Sequence, residues 1–275
     1  MTDFSKDLAP APGEAIDPVE LARRDQKKHL PRRFWKETAV VEDEGRFALS
    51  LDGRRARTPA KNALAVPSRA LAEAVAAEWD AQTQTLDPAV MPLTRIINSA
   101  LDGVAREMDA TLDEVVKYAG SDLLVYRAGD PESLVAEQSA AWDPVLAWAR
   151  DTFGARFMLS QGVTFVAQPD ASIAAVRAAA LTYVAGDSSA FGAHGSVAHE
   201  AAALRLAALH VMTTLTGSAL LALAVARGSL DAQAAWAAAH VDEDFQMRAW
   251  GQDAEAMARR ERRWLEMQAA ATVGA

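Results

Sequence analysis

The C-terminal stretch of the chain, residues 242–267, reads DEDFQMRAWGQDAEAMARRERRWLEM. Apolar side chains recur in it at intervals of four, three and seven residues, at Trp250, Ala254, Met257 and Trp264. This spacing places them on one face of a helix. We therefore predict one long helix from Asp242 to about Met267, with that face packed inward and the rest of the fold arranged around it.

Three carboxylates open this predicted helix, those of Asp242, Glu243 and Asp244. Unpaired backbone N–H groups and the macrodipole favour negative charge at a helix N-terminus, so capping alone would account for them. Aromatic and amide side chains follow, at Phe245, Gln246 and Trp250. Acids beside an aromatic group and an amide form a pattern for docking an arginine-bearing partner. We predict that these six residues bind a partner.

The composition indicates a globular protein, because 51% of the 275 residues are hydrophobic and 24% are charged. The sequence contains no cysteine, which excludes disulfides and thiolate sites and fits a reducing cytoplasm. The longest apolar run, residues 219–226, is too short to span a bilayer. The acidic first 25 residues resemble neither a signal nor a transit peptide. We expect a cytoplasmic protein without a membrane span.

The net charge of −9 argues against a nucleic-acid-binding protein as a whole. Residues 23–61 are the exception, with 12 basic and 6 acidic side chains. This basic stretch leaves open an RNA-binding or ribosome-associated factor. We favour solvated faces of a small sheet, because the charges alternate with a strand pattern.

The N-terminal third predicts an arm followed by a small α+β domain. Residues 1–22 are rich in proline and poor in large apolar groups, which is typical of a mobile arm. From Phe34 short β runs alternate with turns, and Asp52-Gly53 is a strong hairpin signal. Pro67-Ser68 then opens a helix to about Gln84, with Ser68 as N-cap and one buried stripe at Leu71, Val75 and Trp79. We place this domain over residues 23–90.

The remainder, residues 91–275, predicts a larger, mainly helical domain. Its alanine-rich helical patterns favour a tight bundle of crossing helices. Two apolar runs are predicted as extended, DLLVYR at 122–127 and FMLSQGVTFVA at 157–167. The sequence Trp142-Asp143-Pro144 is expected to break or kink a helix that Pro131 opens. The fold class is therefore α+β, with a sheet-plus-helix domain before a helical bundle.

Motifs of common catalytic and metal sites are absent from the sequence. His194, His199 and Glu200 lack the HExxH spacing of a zinc site. Ser188-Ser189 lies in GDSSAFG, which does not match GxSxG. The sequence contains neither a Walker A motif nor GxGxxG. We expect no catalytic residue, metal or cofactor, although a small-molecule enzyme of unknown class stays an alternative.

Six blocks of the chain together resemble one protein family. They are GRFALSLDGRRARTP (45–59), LAVPSRALAEAVAAEWDAQ (64–82), MPLTRIINSALD (91–102), DLLVYR (122–127), WDPVLAW (142–148) and DEDFQMRAWG (242–251). Their order and spacing resemble those of the assembly chaperones that bind the alpha subunit of the F-type ATP synthase catalytic head.

The resemblance implies a non-enzymatic chaperone that holds the alpha subunit until it assembles with beta. It marks the acidic triplet as functionally sensitive, with Glu243 as the first choice, although relatives tend to have Glu at positions 242 and 244. It also marks Trp79 and Asp80 in the EWD block, where Trp79 can act through folding alone. The free protein is expected to be a monomer.

Overall fold

The computed structural model describes residues 30–186 and 196–275. The predicted arm, residues 1–22, lies outside the described residues. So do the first residues of the basic stretch and most of the glycine-rich loop, with Ser188, Ser189 and His194.

The N-terminal part contains the predicted β meander. Its strands are β1 (Thr38–Asp43), β2 (Arg46–Leu51), β3 (Arg54–Arg55) and β4 (Ala65–Val66). The order is β1-β2-β3, and β4 also pairs with β2, all antiparallel. Both tight turns have two consecutive residues with positive φ, Glu44-Gly45 and Asp52-Gly53, the geometry that matches the twist of a hairpin. The Asp-Gly prediction is confirmed.

One helix, α1 (Arg69–Asp80), packs on this sheet. Ser68 caps it, because its hydroxyl accepts a hydrogen bond from the Leu71 N–H at 3.4 Å. Leu71, Val75 and Trp79 are buried as the stripe predicts. The helix ends at Asp80, four residues before the predicted end.

Nine more helices follow in the described residues. They are α2 (Pro92–Asp102), α3 (Met108–Ala119), α4 (Glu132–Phe153), α5 (Asp170–Ala185), α6 (Ser196–Thr216), α7 (Ala219–Ala226), α8 (Ala232–Ala239), α9 (Val241–Trp250) and α10 (Ala254–Gly274). Short 3-10 helices lie at Pro88–Val90, Val104–Arg106 and Leu123–Val125.

The helical part is built around α6 and α7. The first five residues of α7, Ala219 to Leu223, are fully buried, and α6 packs against α2, α3, α7 and α10. Alanine is frequent along these helices, which lets their axes approach closely. The buried apolar side chains of the sheet and of the helices form one continuous cluster. The α+β fold class is confirmed, while the domain boundary after residue 90 stays a prediction.

Of the expected break or kink at Pro144, the break is wrong, because α4 continues through this residue. Proline inside a helix costs about 3 kcal/mol. Burial on both sides of it offsets this cost: Trp142 is fully buried and its Nε1 donates to the Ala238 carbonyl at 2.7 Å, while Val145 and Ala149 are also buried.

The single long C-terminal helix is also wrong. Gly251 ends α9 with φ 92° and ψ 175°, and the Asp253 carboxylate caps α10 by accepting from the Ala256 N–H at 2.7 Å. Positive φ is accessible to glycine without a steric penalty. The chain therefore turns here, and Trp250 is 81% exposed instead of packed inward. Trp264 does pack against the core.

The two runs predicted as extended pair with each other over a short length. Tyr126–Arg127 forms β5 and Ser160–Gln161 forms β6, in parallel. Before β5, residues Leu123–Val125 form the 3-10 helix, so the extended prediction is only partly right for 122–127. The 157–167 run is a loop around β6.

Candidate functional site

The first turn of α9 carries the predicted acids, and Asp242 has a structural partner there. Its Oδ1 accepts a hydrogen bond from Gln138 Nε2 on α4 at 2.6 Å. Gln138 is buried, and its Oε1 accepts from the Ala128 N–H at 2.8 Å. Asp242 therefore links the start of α9 to α4 through this hydrogen bond.

Asp244 is paired with Arg260 of α10. The carboxylate accepts from both Nη atoms, with Nη2 to Oδ2 at 3.1 Å. Its hydrogen bonds to the Asp244 carboxylate raise the pKa of Arg260. Bidentate pairs of this kind are strong and directional. Asp244 thus closes the turn between α9 and α10.

Glu243 is the acid of the triplet that points to solvent, with 60% of its side chain exposed. Among the described residues, the one basic side chain within 4 Å of its carboxylate is His240, whose Nε2 lies 3.9 Å away. Burial lowers the pKa of His240, and its Nδ1 lies 2.7 Å from the Trp236 carbonyl oxygen. A carbonyl can only accept, so near neutral pH the proton is on Nδ1 and Nε2 bears none. In the described part of the chain Glu243 therefore forms no ion pair with a lysine or arginine side chain, although its charge helps to raise the pKa of the neighbouring Arg260.

The aromatic and amide residues of the predicted site also differ in their accessibility to solvent. Phe245 is half-buried beneath Arg248, whose guanidinium carbon lies 5.6 Å from the ring centroid. Arg248 in turn pairs with Glu137 of α4. Gln246 is exposed, as is Trp250. Phe245 is therefore partly covered, whereas the other two side chains are accessible.

A groove of about 420 Å³ separates α9 from α10. One wall carries Glu243, Gln246 and Trp250, and the opposite wall carries arginines, Arg259, Arg260 and Arg263. Arg260 is held by Asp244, and Arg263 donates to the Leu215 carbonyl at 2.9 Å. Such a groove can offer a carboxylate, an aromatic face and guanidinium groups to the same ligand segment.

Trp79 and Asp80 are not part of this groove. Trp79 is buried, its ring centroid lies 4.9 Å from that of Trp35, and its Nε1 donates to Thr94 Oγ1 at 2.9 Å. Asp80 is exposed and pairs with Arg33 at 3.2 Å. The structure thus places Trp79 in the core.

Glu78, beside Trp79, joins α1 to α2. Its carboxylate accepts from the N–H groups of Leu93 at 2.9 Å and Thr94 at 2.8 Å, and from Thr94 Oγ1 at 2.6 Å. Burial raises the pKa of Glu78. Trp79 therefore shares Thr94 with an N-terminal cap of α2.

A family model described as "ATP12 chaperone protein" matches residues 32–150. The mitochondrial protein atp12 of Schizosaccharomyces pombe is 23% identical over 232 residues, which cover 80% of this chain and 74% of that protein. Two crystal structures are similar over most of their length. Atu1473 of Agrobacterium tumefaciens, described as a candidate chaperone, has 45% identity and a TM-score of 0.79 and covers 95% of this chain and 91% of its own. Atp12 of Paracoccus denitrificans has 38% identity and a TM-score of 0.75, with 89% and 97% covered.

This chain belongs to the ATP12 chaperone family.

The family resemblance predicted from the six sequence blocks is confirmed. The chain is an ATP12-family chaperone of ATP synthase assembly. The family model and Atu1473 of Agrobacterium tumefaciens are named as chaperones. The comparisons do not assign a role to single residues, so the eight predicted contact residues stay a prediction, now with known positions.

Two features of this ATP12-family groove were not predicted from the sequence. The arginines of α10 are visible in the run RRERR, but only the turn at Gly251 places them opposite Glu243. Gln138 lies 104 residues before Asp242, and no local pattern connects the two. The sequence therefore identified the aromatic and acidic residues of the groove. It did not identify Gln138 and Arg260, which determine which of the carboxylates are hydrogen-bonded within the protein.

The described residues also bear on the alternative readings. Among residues 30–186 and 196–275, no group of three His, Asp or Glu side chains is placed to hold a metal. His199 Nε2 contacts the Ala105 carbonyl at 2.7 Å. Several arginines of the basic stretch pair with carboxylates: Arg33 with Asp80, Arg46 with Asp43 and Glu200, and Arg55 with Asp43. No helix in this part of the chain is long and apolar enough to cross a membrane.

Proposed function

We propose that this ATP12-family chaperone binds the unassembled alpha subunit of the F-type ATP synthase catalytic head. The chaperone prevents the alpha subunit from aggregating until the beta subunit displaces the chaperone. The groove between α9 and α10 is the proposed contact surface, with Glu243, Gln246 and Trp250 as the accessible side chains.

The need for such a chaperone follows from the architecture of the catalytic head. Alpha and beta subunits alternate in a ring, so an isolated alpha subunit exposes a large surface that assembly later buries. A chaperone must cover this surface and still be displaced by beta. A moderately sized and partly polar contact meets both requirements better than an obligate apolar one.

The observation that carries the proposal is the state of Glu243. Its two acidic neighbours are bound to Gln138 and Arg260, whereas Glu243 is exposed at the groove and makes no hydrogen bond or ion pair with a lysine or arginine of the described residues. Asp242 and Asp244 already place negative charge at the N-terminus of α9, so the helix dipole does not require Glu243. An accessible third carboxylate next to exposed amide and aromatic groups supports a role in recognising a basic group of the client.

The proposal extends to the cellular setting. We propose that the protein acts without enzymatic activity or cofactor, as a monomer when free, and in the cytoplasm of a bacterial host. The arm and the two domains predicted from the sequence belong to the same proposal, with the groove in the helical domain.

The direct test is to purify alpha and beta subunits of the host enzyme and follow alpha aggregation by light scattering. An equimolar amount of the chaperone is expected to suppress scattering by alpha, and added beta is expected to release alpha into alpha–beta assemblies. Beta alone serves as the specificity control. Undiminished aggregation of alpha, or equal binding of both subunits, would rule out the proposal.

A further inference from the structure

A second exposed surface lies in the loop between α4 and α5. Residues 157–166, here called the apolar loop, present four large side chains to solvent. Met158 is 54% exposed, Leu159 50%, Val163 99% and Phe165 69%. From Phe157 to Pro169 the sequence has no charged residue. Together these side chains expose on the order of a few hundred Å² of apolar surface, comparable with the largest apolar patch of a typical monomer, which is often functional.

Polar side chains at the two ends of the apolar loop hold it closed. The Gln168 amide accepts from the Met158 N–H at 2.8 Å and donates to the Met158 carbonyl at 2.9 Å. The Ser172 hydroxyl accepts from the Arg156 N–H at 2.9 Å and donates to the Arg156 carbonyl at 2.6 Å. The polar side chains therefore hydrogen-bond to the backbone at the ends of the loop, while the apolar side chains face solvent. A loop ordered before binding loses little conformational entropy when it binds.

The base of the apolar loop is fixed to the segment after α3. Strand β6 pairs with β5, and the Gly162 N–H donates to the Arg127 carbonyl at 2.8 Å. Gln161 packs over Gly129 so closely that a Cβ at residue 129 would lie 1.9 Å from its Nε2.

This base is connected to the groove at α9 through one side chain. Gln138 accepts from the Ala128 N–H, next to β5, and donates to Asp242 at the start of α9. Because Gln138 is buried, these two hydrogen bonds fix the segment next to β5 relative to the first turn of α9. One buried side chain therefore links the segment that holds the apolar loop to the start of α9.

We infer that the apolar loop is a second contact surface for the same client, taking an uncharged apolar patch of the unassembled alpha subunit. The inference rests on the proposed function. The apolar loop anchors the client by burial of Val163 and Phe165, and the groove at α9 supplies the charged contact.

A second copy of this chain is the weaker occupant. A stable interface buries on the order of 800 Å² on each partner, which exceeds what the apolar loop exposes. The loop is large enough to anchor a composite interface and too small to hold a dimer by itself.

A lipid surface also fits the apolar loop less well than the alpha subunit does. Membrane-binding segments place lysine or arginine beside their apolar side chains. The apolar loop is bordered by Arg156 on one side and Asp170 on the other, and nearby Arg127 is paired with Asp143 at 2.8 Å. The whole chain carries a net charge of −9, which repels anionic lipids.

The test replaces Val163 and Phe165 with serine in one variant, V163S/F165S. Both side chains are exposed, so the melting temperature is expected to stay within a few degrees of wild type. The dissociation constant for purified alpha subunit is expected to rise about tenfold or more, as for the loss of an interface anchor. Leu181→Ser on α5 is the matched control, since Leu181 is 48% exposed outside the loop, and it is expected to bind alpha as wild type does.

The outcomes separate the inference from the proposed function. If wild type binds alpha, Glu243→Gln weakens it, and V163S/F165S binds as wild type, the inference alone is overturned. If wild type does not bind alpha, both fall. If wild type sediments with phosphatidylglycerol–phosphatidylethanolamine vesicles and the double variant does not, the inference is overturned in favour of a membrane. A wild-type dimer that dissociates in the double variant, seen by analytical ultracentrifugation, would overturn it in favour of self-association.

Discussion

Replacement of Trp79 by arginine is expected to destabilise the protein, not to remove a client contact. The indole is buried between the sheet and α2, next to Trp35, and its Nε1 donates to Thr94. Thr94 also donates to Glu78, which caps α2. The substitution therefore removes packing and a hydrogen bond at the point where α1 meets α2.

The magnitude follows from these contacts. Loss of a buried tryptophan costs about 3–5 kcal/mol, and the hydrogen bond to Thr94 adds about 1 kcal/mol. An unpaired guanidinium in the same space adds a further desolvation cost. The sum, about 5 kcal/mol or more, is comparable with the whole free energy of unfolding of many domains, about 5–15 kcal/mol. For a chain of this size we expect the melting temperature to fall by about 10–20 °C.

Thermal unfolding followed by circular dichroism measures this effect, alongside capture of alpha subunit at a temperature where the variant is folded. Asp80→Asn is the matched control, because Asp80 is exposed and its surface ion pair with Arg33 is worth at most about 1 kcal/mol. A Trp79→Arg variant that melts with wild type and fails to bind alpha would show that Trp79 is a contact residue and that the reasoning is wrong.

Three further predictions test the turn, the ion pair and a buried acid. Gly251→Ala is expected to lower stability by about 1–3 kcal/mol, because φ is 92° there; in a continuous helix the same change would raise it by about 1 kcal/mol, so the sign of the melting shift decides. Asp244→Asn is expected to lower the melting temperature by several degrees by leaving Arg260 of the half-buried pair without its carboxylate; an unchanged melting curve would contradict the proposed closure of the turn. Burial raises the pKa of Asp122 to about 6, so the folded state binds its proton more tightly than the unfolded state. Its contribution to stability is then complete below about pH 4 and falls as pH rises through about 6, by about 3 kcal/mol in total. Urea denaturation from pH 4.5 to 7.5 should show a smaller loss of stability with pH in Asp122→Asn than in wild type, and parallel pH profiles would contradict this.

The parts of the fold that local chemistry decides were predictable from the sequence. Asp52-Gly53 needs positive φ at both residues, so the hairpin followed from two letters. Ser68 and the spacing of Leu71, Val75 and Trp79 defined α1 and its buried face. At the C-terminus the same spacing rule failed, because Gly251 and the capping residue Asp253 divide the helix. Trp250 therefore ends one helix at the surface, although its spacing from Trp264 fits a single face.

The parts of the site that depend on distant partners were not predictable. The triplet at 242–244 is evident as a cluster, but which carboxylate is free depends on Gln138 and Arg260, which the fold brings from α4 and α10. The run at 157–167 has the composition of a buried strand, yet Val163 and Phe165 face solvent. Periodicity identifies apolar positions and does not tell a core face from a binding surface.

The central claim is that Glu243 recognises a basic group of the alpha subunit. A carboxylate that serves only a helix dipole contributes about 0.3–1 kcal/mol, whereas removing one partner of a desolvated interfacial ion pair costs about 2–5 kcal/mol. The matched control is Glu255→Gln, because Glu255 is an exposed carboxylate in the first turn of α10 and does not line the groove.

The decisive measurement is the dissociation constant for purified alpha subunit of wild type, Glu243→Gln, Glu243→Lys and Glu255→Gln, with melting curves on the same preparations. We expect wild-type melting within a few degrees for all variants, alpha binding at least about thirtyfold weaker for Glu243→Gln, weaker still for Glu243→Lys, and unchanged for Glu255→Gln. Wild-type affinity in both Glu243 variants would contradict the account and leave Glu243 as a helix-capping residue.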